Sequence, residues 1–167
     1  MFVEGANDWR LKQPLSNRHG RCLLGFVLPH GVEPAVHRPV TAALVALRCD
    51  GHYLVSYNRG RRRWELPAGG IERGETAERA ARRELHEESC QRVDALHPCG
   101  LAHARRGSGF SKYTALFHAE VEKLLPFRAN SEWSRIELWD LRSRARDFDP
   151  LDRLVLEYCE RMARQAK

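Results

Sequence analysis

The most informative stretch of the sequence is Gly69-Gly-Ile-Glu-Arg-Gly-Glu75-Thr-Ala-Glu-Arg-Ala-Ala-Arg-Arg83-Glu84-Leu-His-Glu87-Glu88-Ser-Cys90-Gln91. Glu84, Glu87 and Glu88 stand at i, i+3 and i+4, so in a helix their carboxylates share one face. Three like charges so close together weaken a helix and raise each other's affinity for protons unless a cation lies beside them. A divalent cation that prefers oxygen ligands, such as Mg²⁺, is a suitable partner. An acidic helix face that is simply exposed to solvent would show the same spacing. The residues around the glutamates are therefore needed to distinguish a metal site from such a face.

Local signals predict that these glutamates lie on a helix that runs from about Thr76 to Ser89. The threonine is a favourable N-cap, and the residues that follow it are rich in alanine and glutamate. Arg79 and Arg83 are spaced to brace the carboxylates from the flank. The turn at Gly69-Gly70 leaves bare backbone in front of the helix, where a carbonyl can also reach a metal ion.

The whole stretch resembles the Nudix box, the signature of the Nudix hydrolase family. That signature is Gly-x5-Glu-x7-Arg-Glu-aliphatic-x-Glu-Glu-x-Gly-aliphatic. The positions that match it are Gly69, Glu75, Arg83, Glu84, Leu85, Glu87 and Glu88. The departures are Cys90, in place of the last glycine, and Gln91, in place of the last aliphatic residue. A glycine at that point ends the helix in the left-handed conformation, so we expect the cysteine to cost ~1 kcal/mol or to end the helix differently.

The resemblance implies a fold, a reaction and a cofactor. The fold is an α/β domain, a Nudix-type α/β/α sandwich with a mixed β-sheet. The reaction is hydrolysis of a nucleoside diphosphate linked to a further group, with Mg²⁺ as cofactor and Mn²⁺ as a second possibility. Glu84 and Glu88 are implied as the main metal ligands, assisted by Glu87 and the carbonyl of Gly69.

Two further roles follow from the same resemblance. Glu75 and Arg83 are implied as a structural brace. Family members often place another glutamate on a later loop, before a tryptophan-bearing strand, where it acts as the general base. Glu132 is our choice for that base, and the alternatives are Glu120, Glu122 and Glu137.

Basic residues supply candidate phosphate contacts. Lysine and arginine number 28 against 22 acidic residues, so the net charge is +6, with arginine far in excess of lysine. Genomic base composition alone could produce that excess, so position has to identify functional arginines. One basic loop precedes the Nudix box and another surrounds Gly107-Ser-Gly109. From these loops we predict substrate contacts by Arg59, Arg61, Arg63 and Arg105, with Arg62, Arg106 and Lys112 beside them. The residues that could stack on a nucleobase, or equally belong to the core, are Tyr57, Trp64, Phe110 and Trp133.

Patterns outside the box predict the remaining elements. Residues 1–40 are expected to be a separate N-terminal segment with one strand and a proline-rich linker, and residues 41–167 the Nudix domain. An Asp50-Gly51 signal predicts a hairpin turn. A final helix should begin with Asp149 as its cap and Pro150 in its first position. The predicted strands cover residues 22–28, 41–48, 52–57 and 136–141, and two or three more are predicted at about 92–102 and 110–121.

The composition of the chain indicates the cellular compartment to expect. The N-terminus has no signal-peptide pattern and no apolar run reaches the ~20 residues that span a bilayer, so we expect a cytoplasmic protein without a membrane partner. The five scattered cysteines suit a reducing compartment. The group Cys90, His97, Cys99 and His103 has zinc-ligand chemistry, but its spacing matches no ordinary zinc site, and we do not predict one.

The choice of substrate is only weakly encoded. The single-domain size and the basic loop favour a nucleoside triphosphate, including an oxidised one. ADP-ribose and nucleotide sugars are the alternative, although the proline that ADP-ribose members carry about sixteen residues after the box is replaced here by Gly107. Dinucleoside polyphosphates and capped RNA ends also stay open, although we expect a nucleotide rather than a nucleic acid as the partner. A non-catalytic nucleotide- or RNA-binding module is the alternative from another class, and a homodimer is an expectation from the family.

Overall fold

The computed structural model describes residues 2–4, 8–28, 39–141 and 148–165, and most of the predicted proline-rich linker lies outside them. The strands are β1 (Phe2–Glu4), β2 (Asp8–Ser16), β3 (Arg21–Val27), β4 (Val40–Cys49), β5 (His52–Asn58), β6 (Arg63–Glu65), β7 (Ala68–Gly70), β8 (His97–Arg106), β9 (Lys112–Val121) and β10 (Trp133–Trp139). The helices are α1 (Ala77–Ser89) and α2 (Pro150–Gln165). Neither helix has the length and apolar character of a membrane span.

The described strands form one mixed sheet. Its order is β1-β2-β3-β8-β9-β4-β5-β10, with β6 paired to β5 and β7 paired to β4. The central pair β4 and β9 is parallel, with Ala43 opposite Ala115, and the pairings on either side of it are antiparallel. The predicted mixed sheet is therefore confirmed.

Strand β4 shows why the sheet carries a helix on each face. Its residues alternate between two core clusters, because successive side chains of a strand point to opposite faces. Ala43, Val45 and Leu47 pack in the cluster that includes α1, and Leu44 and Ala46 pack in the cluster that includes α2. A strand buried on both faces has a nearly continuous apolar sequence. The predicted α/β/α layering is confirmed.

The N-terminal segment extends this sheet. Strand β3 pairs with β8, and Leu23 and Phe26 are buried in the core cluster on the α2 side. The Phe26 ring stacks on Tyr158 of α2 with centroids 4.1 Å apart. Strand β3 is thus built into the same sheet as the residues after 40. The predicted division of the chain at residue 40 stays a prediction.

Several predicted boundaries need correction. The strand expected from residue 92 begins only at His97, because the Arg82 guanidinium donates hydrogen bonds to the carbonyls of Val93, at 2.6 Å, and Asp94. The strand expected at 110–121 begins at residue 112, after an exposed turn, and the one expected at 136–141 covers residues 133–139. The predicted turn is confirmed, since Asp50 and Gly51 both have positive φ, as a two-residue hairpin requires.

Candidate active site

Helix α1 is positioned as the sequence predicts. Thr76 caps its N-terminus, and the Thr76 hydroxyl accepts a hydrogen bond from the Arg79 N–H at 3.2 Å. The helix packs on the sheet through Ala80, Ala81 and Leu85, which are fully buried. That packing fixes the rotation of α1 about its axis and so fixes where its glutamates lie.

The glutamates of α1 border a cleft of about 460 Å³, called the carboxylate cleft here. It is lined by Arg61, Ala68, Gly69, Glu84, Glu87, Glu88, Asn130, Ser131, Glu132 and Trp133. All the residues predicted as catalytic or metal-binding are therefore brought together. They come from the end of β7, from α1 and from the loop before β10.

Glu88 lies deepest in this group. Its side chain is buried, and its Oε2 accepts a hydrogen bond from the Ala68 N–H at 3.1 Å. Burial is the main cause that raises the pKa of Glu88 to about 9; the Ala68 hydrogen bond opposes the rise, and the nearby carboxylates of Glu84, Glu65 and Glu132 add to it. A buried carboxylate of this kind is stabilised as an anion by a cation beside it.

Arg83 forms hydrogen bonds with the more exposed carboxylates beside Glu88. Its guanidinium donates to Glu84 at 2.6 Å, to Glu75 at 3.0 and 3.1 Å, and to the Gly70 carbonyl at 2.8 Å. It also approaches Glu87 at 3.4 Å. The hydrogen bond from Arg83 is the main reason that the pKa of Glu75 is lowered. The contact predicted between Glu75 and Arg83 is thus present, and it joins the start of the Nudix box to α1.

The donor atoms of the carboxylate cleft fit a hard divalent cation, since they are carboxylate and carbonyl oxygens. Gly69 leaves room for them, because a Cβ atom at this position would collide with the Glu84 carboxylate. Within the described ranges, no three His, Cys, Asp or Glu side chains already converge as metal ligands. The Glu84 carboxylate is held by Arg83 and the Glu88 carboxylate by the Ala68 N–H, so both would have to reorient for one ion to bind them together.

Glu132 reaches the cleft from a loop with several anchors. Its carboxylate accepts a hydrogen bond from the Asn58 side chain at 2.9 Å, and its carbonyl accepts one from the Arg59 N–H at 2.8 Å. The Asn130 side chain accepts from the Glu132 N–H and donates to the Glu87 carbonyl, which ties the loop to α1. These contacts place the Glu132 carboxylate in the same cleft as the glutamates of α1.

The alternative candidates for the general base lie elsewhere. Glu120 forms an ion pair with Arg48 at 2.9 Å, away from the carboxylate cleft. Glu122 and Glu137 are exposed and do not line the cleft. Geometry therefore favours Glu132 among the four.

The predicted phosphate-binding arginines separate into different environments. Arg61 and Arg63 both form ion pairs with the buried carboxylate of Glu65. Arg61 lines the carboxylate cleft, while Arg59 lines neither this cleft nor the one described next. The Arg59 contact described above comes from its backbone, so the structure gives no support to a substrate contact by its side chain. Arg105 belongs to the second cleft.

The second cleft is larger, about 950 Å³, and is called the basic cleft here. It is lined by Asn17, His19, Arg21, Thr41, Ala42, Arg61, Arg63, Ala104, Arg105, Arg106, Gly109, Phe110, Lys112, Thr114 and Asp149. Arg61 lines both clefts, so they are adjacent. Sequence reasoning missed the residues from the N-terminal segment. The only local signal for Arg21 is its place directly before an apolar run, and the pairing of β3 with β8 that brings it here is not encoded locally.

The four candidate stacking residues also differ. Trp133 is buried, with 4% of its surface exposed. Tyr57 and Trp64 are covered by Arg135, whose guanidinium carbon lies 4.7 and 5.0 Å from their ring centroids. Phe110 is 96% exposed and lines the basic cleft. Phe110 is therefore the most accessible ring of the four.

Known proteins resemble this chain both in sequence and in fold. A family model described as the NUDIX domain matches residues 37–158. The RNA pyrophosphohydrolase of Sodalis glossinidius (strain morsitans) is 44% identical over 52 residues, which cover 31% of this chain and 29% of that protein. The match thus spans less than a third of the length of that relative.

Solved structures share the fold. The pyrophosphohydrolase of Bacillus subtilis, solved as a mutant, superposes with a TM-score of 0.73 at 21% identity, covering 92% of this chain and 97% of that one. The MutT NUDIX hydrolase from Burkholderia pseudomallei superposes with a TM-score of 0.62 at 18% identity, covering 73% and 98%. At these identities the likeness concerns the fold.

Proposed function

The chain belongs to the Nudix family, whose domain covers residues 37–158, and from that premise we propose that it is a Mg²⁺-dependent pyrophosphohydrolase. Its substrate would be a nucleoside diphosphate linked to a further group. The observation that supports this most directly is the carboxylate cleft, where Glu84, Glu87, Glu88 and Glu132 lie with the backbone of Gly69. Four carboxylates around one cleft would repel each other without a cation, so a binding module that needs no metal has no use for them.

The proposed metal ligands are Glu84 and Glu88, with Glu87 and the Gly69 carbonyl assisting. Bound there, Mg²⁺ would offset the charge of the pyrophosphate and lower the pKa of a bound water. Mn²⁺ is the second choice, because it accepts the same oxygen ligands. Arg83 holds the Glu84 carboxylate and, through Glu75, joins the start of the box to α1.

Glu132 is the proposed general base. The Asn58 side chain orients its carboxylate, and the backbone anchors of its loop keep that carboxylate at the cleft. A water molecule between Glu132 and the substrate phosphorus would lose its proton to this side chain. Arg61 lies at the junction of the two clefts, where it can contact the phosphates that extend from the cleavage site.

A nucleotide with a 5′-triphosphate is the proposed substrate class, with a free nucleoside triphosphate, including an oxidised one, as the first candidate. The second candidate is the 5′-triphosphate end of an RNA chain. It is favoured by the size and charge of the basic cleft and by the name of the relative in Sodalis glossinidius. ADP-ribose and nucleotide sugars are the alternative that a substrate panel must include.

Turnover of such a panel by the wild type, Glu88→Gln and Glu78→Gln tests the proposal. The panel contains nucleoside triphosphates, oxidised ones, ADP-ribose and a 5′-triphosphorylated oligoribonucleotide, each with Mg²⁺ or EDTA. We expect Glu88→Gln to lower kcat by about 100-fold or more, because it removes a charged group from the cleft. It should also weaken Mn²⁺ binding measured by calorimetry.

Glu78→Gln is the matched control. Glu78 is exposed on the same helix, pairs with Arg82 at 2.9 Å and does not line the carboxylate cleft, so kcat should stay near that of the wild type. Equal activity of Glu88→Gln and the wild type would contradict the proposal. A wild type that binds nucleotides and hydrolyses none would instead establish the non-catalytic binding module.

A further inference from the structure

An exposed aromatic ring stands in the turn between β8 and β9. Phe110 is 96% exposed, while the other large apolar side chains that are exposed in the described residues, Leu15, Leu125 and Leu138, are 41%, 46% and 39% exposed. Leaving a phenylalanine in water forgoes about 1.5–3 kcal/mol of hydrophobic stabilisation. A ring so exposed on the wall of a cleft is available to a ligand.

Three cations that line the basic cleft together with this ring have no acidic partner among the described residues. Arg21 pairs with Asp152, and Arg61 and Arg63 pair with Glu65, so part of the positive charge of the basic cleft is already compensated. In the described parts of the chain, no carboxylate pairs with the remaining cations of the turn, which are Arg105, Arg106 and Lys112. They end β8 and begin β9 on either side of Phe110. Their charge is left to attract an anion from outside the protein.

The two features together favour one class of ligand. Inorganic triphosphate would use the cations but not the ring, and an apolar protein partner would use the ring but be opposed by the cations. A free nucleoside triphosphate could stack its one base on the ring, but with its phosphates at the carboxylate cleft it leaves the cations of the turn without an anion. Single-stranded nucleic acid uses both, because bases stack on aromatic rings while Arg and Lys contact the phosphates. Arg61 connects the basic cleft to the carboxylate cleft, so one strand can lie in both.

We infer that the basic cleft binds a single-stranded RNA segment, with Phe110 stacking on a base and Arg105, Arg106 and Lys112 contacting backbone phosphates. The inference rests on the proposed function in one respect. It treats the bound strand as part of a substrate whose 5′ end lies in the carboxylate cleft. It adds a strand-binding surface outside the Nudix box. That surface belongs to the β8–β9 turn.

Binding of a fluorescent oligoribonucleotide with a 5′-hydroxyl end, in EDTA, tests this surface independently of hydrolysis. We expect Phe110→Ala to weaken binding about tenfold, as the loss of one stacked base requires. Phe110→Trp, which keeps a stacking ring, should restore binding to within about threefold of the wild type. Leu138→Ala removes a partly exposed apolar side chain of β10 that lines neither cleft, and should leave the affinity unchanged.

The salt dependence of the same binding tests the cations. Lys112→Ala should reduce the slope of log K against log salt concentration by about 0.7, the value for one phosphate contact on a single strand. Lys123→Ala is the matched control, because Lys123 is exposed and lies outside the basic cleft. It should leave the slope unchanged.

Three results would overturn the inference. The first is an affinity of Phe110→Ala equal to that of the wild type or of Leu138→Ala. The second is a duplex that binds as tightly as the single strand, and the third is a poly-glutamate peptide that competes as well as RNA, since charge alone would then explain binding. Hydrolysis of the nucleotide panel is measured separately, so failure of the RNA surface and failure of the proposed activity give different results.

Discussion

Cys90 ends α1 in a conformation that favours glycine. Its φ is 60° and its ψ is 11°, and its N–H donates to the His86 carbonyl at 2.8 Å. The left-handed conformation costs a residue with a Cβ roughly 1–2 kcal/mol, while glycine adopts it freely but loses more entropy on folding. We expect Cys90→Gly to raise the free energy of unfolding by about 0.5–1 kcal/mol, measured in urea.

Cys90→Ala separates backbone strain from the loss of the thiol. The Cys90 Sγ contacts only the Arg128 carbonyl among the hydrogen bonds of the described residues, at 3.7 Å, so its removal should cost little. Alanine keeps the Cβ and therefore the strain, and should give no stabilisation. If alanine stabilises the protein as much as glycine does, strain at this position is not the cause.

Gln91 is the second departure from the box, and its contacts in the folded chain show why a polar side chain is accommodated there. It is 2% exposed, and its side-chain amide donates to the carbonyls of Ser89 and Leu125, both at 2.9 Å. Its Oε1 accepts from the Leu125 N–H at 2.7 Å. A buried amide with these partners is satisfied, so it can replace an aliphatic residue. The sequence could not predict this, because Leu125 lies 34 residues away in a loop without a pattern of its own.

Between elements, an ion pair joins β3 to α2. Arg21 donates to Asp152 at 2.7 Å, and the Asp152 carboxyl is buried. Burial raises the pKa of Asp152 above its ordinary 3.8, and Arg21 opposes that rise. We expect Arg21→Ala to lower the free energy of unfolding by about 1–3 kcal/mol at pH 8, because it leaves a buried charge without its partner.

The loss should be smaller at pH 5. A carboxyl with a raised pKa in the folded state contributes stability that is present below pH 3.8 and disappears as the pH rises through the folded pKa. Removing Arg21 raises that pKa further, so at low pH the neutral carboxyl has less need of the arginine. Urea unfolding at both pH values measures this. The double substitution Arg21→Ala and Asp152→Asn should lose the pH dependence, and a single-variant loss that is equal at both pH values would contradict the mechanism.

The sequence predicted those elements whose determining residues lie close together in the chain, and it missed features that depend on distant contacts. Helix α1 was predictable because its N-cap residue, the helical spacing of its apolar residues and its three closely spaced glutamates lie within one short segment. The start of β8 was not, because Arg82 binds the carbonyls of residues 93 and 94 and so keeps them out of the sheet. The position of Glu132 beside α1 depends on Asn58 and Asn130, and resemblance to a family, rather than periodicity, indicated it.

Across the whole molecule, two neighbouring clefts have linings of opposite charge. Glutamates of α1 and the loop before β10 make one cleft acidic, while residues of β3, β8 and β9 make the other basic. A net charge of +6 alone indicates only that an anionic partner is favoured. The division is more specific, since it places a site for cations beside a site for phosphates. A substrate that is anionic along its length and bound through a metal at one end fits both.

The same sheet gives a whole-molecule prediction about residues 1–40. Phe26 is 1% exposed in the core cluster that also contains Leu116, although Phe26 lies outside the region matched by the family. If β3 folds as part of one cooperative unit, Phe26→Ala should lower the free energy of unfolding by about 3–5 kcal/mol, and Leu116→Ala by about 2–5 kcal/mol. Both variants should still unfold in a single transition, monitored by circular dichroism and tryptophan fluorescence in urea.

Leu15→Ala is the control for this comparison. Leu15 lies on β2 and is 41% exposed, so its truncation should change stability by no more than about 0.5 kcal/mol. Two separate transitions, or a main transition that Phe26→Ala leaves unchanged, would show that residues 1–40 form a unit of their own. A single transition shifted by both core variants would instead mean that the segment completes the core beneath α2. The wall of the basic cleft that Arg21 provides would then depend on the stability of the entire sheet.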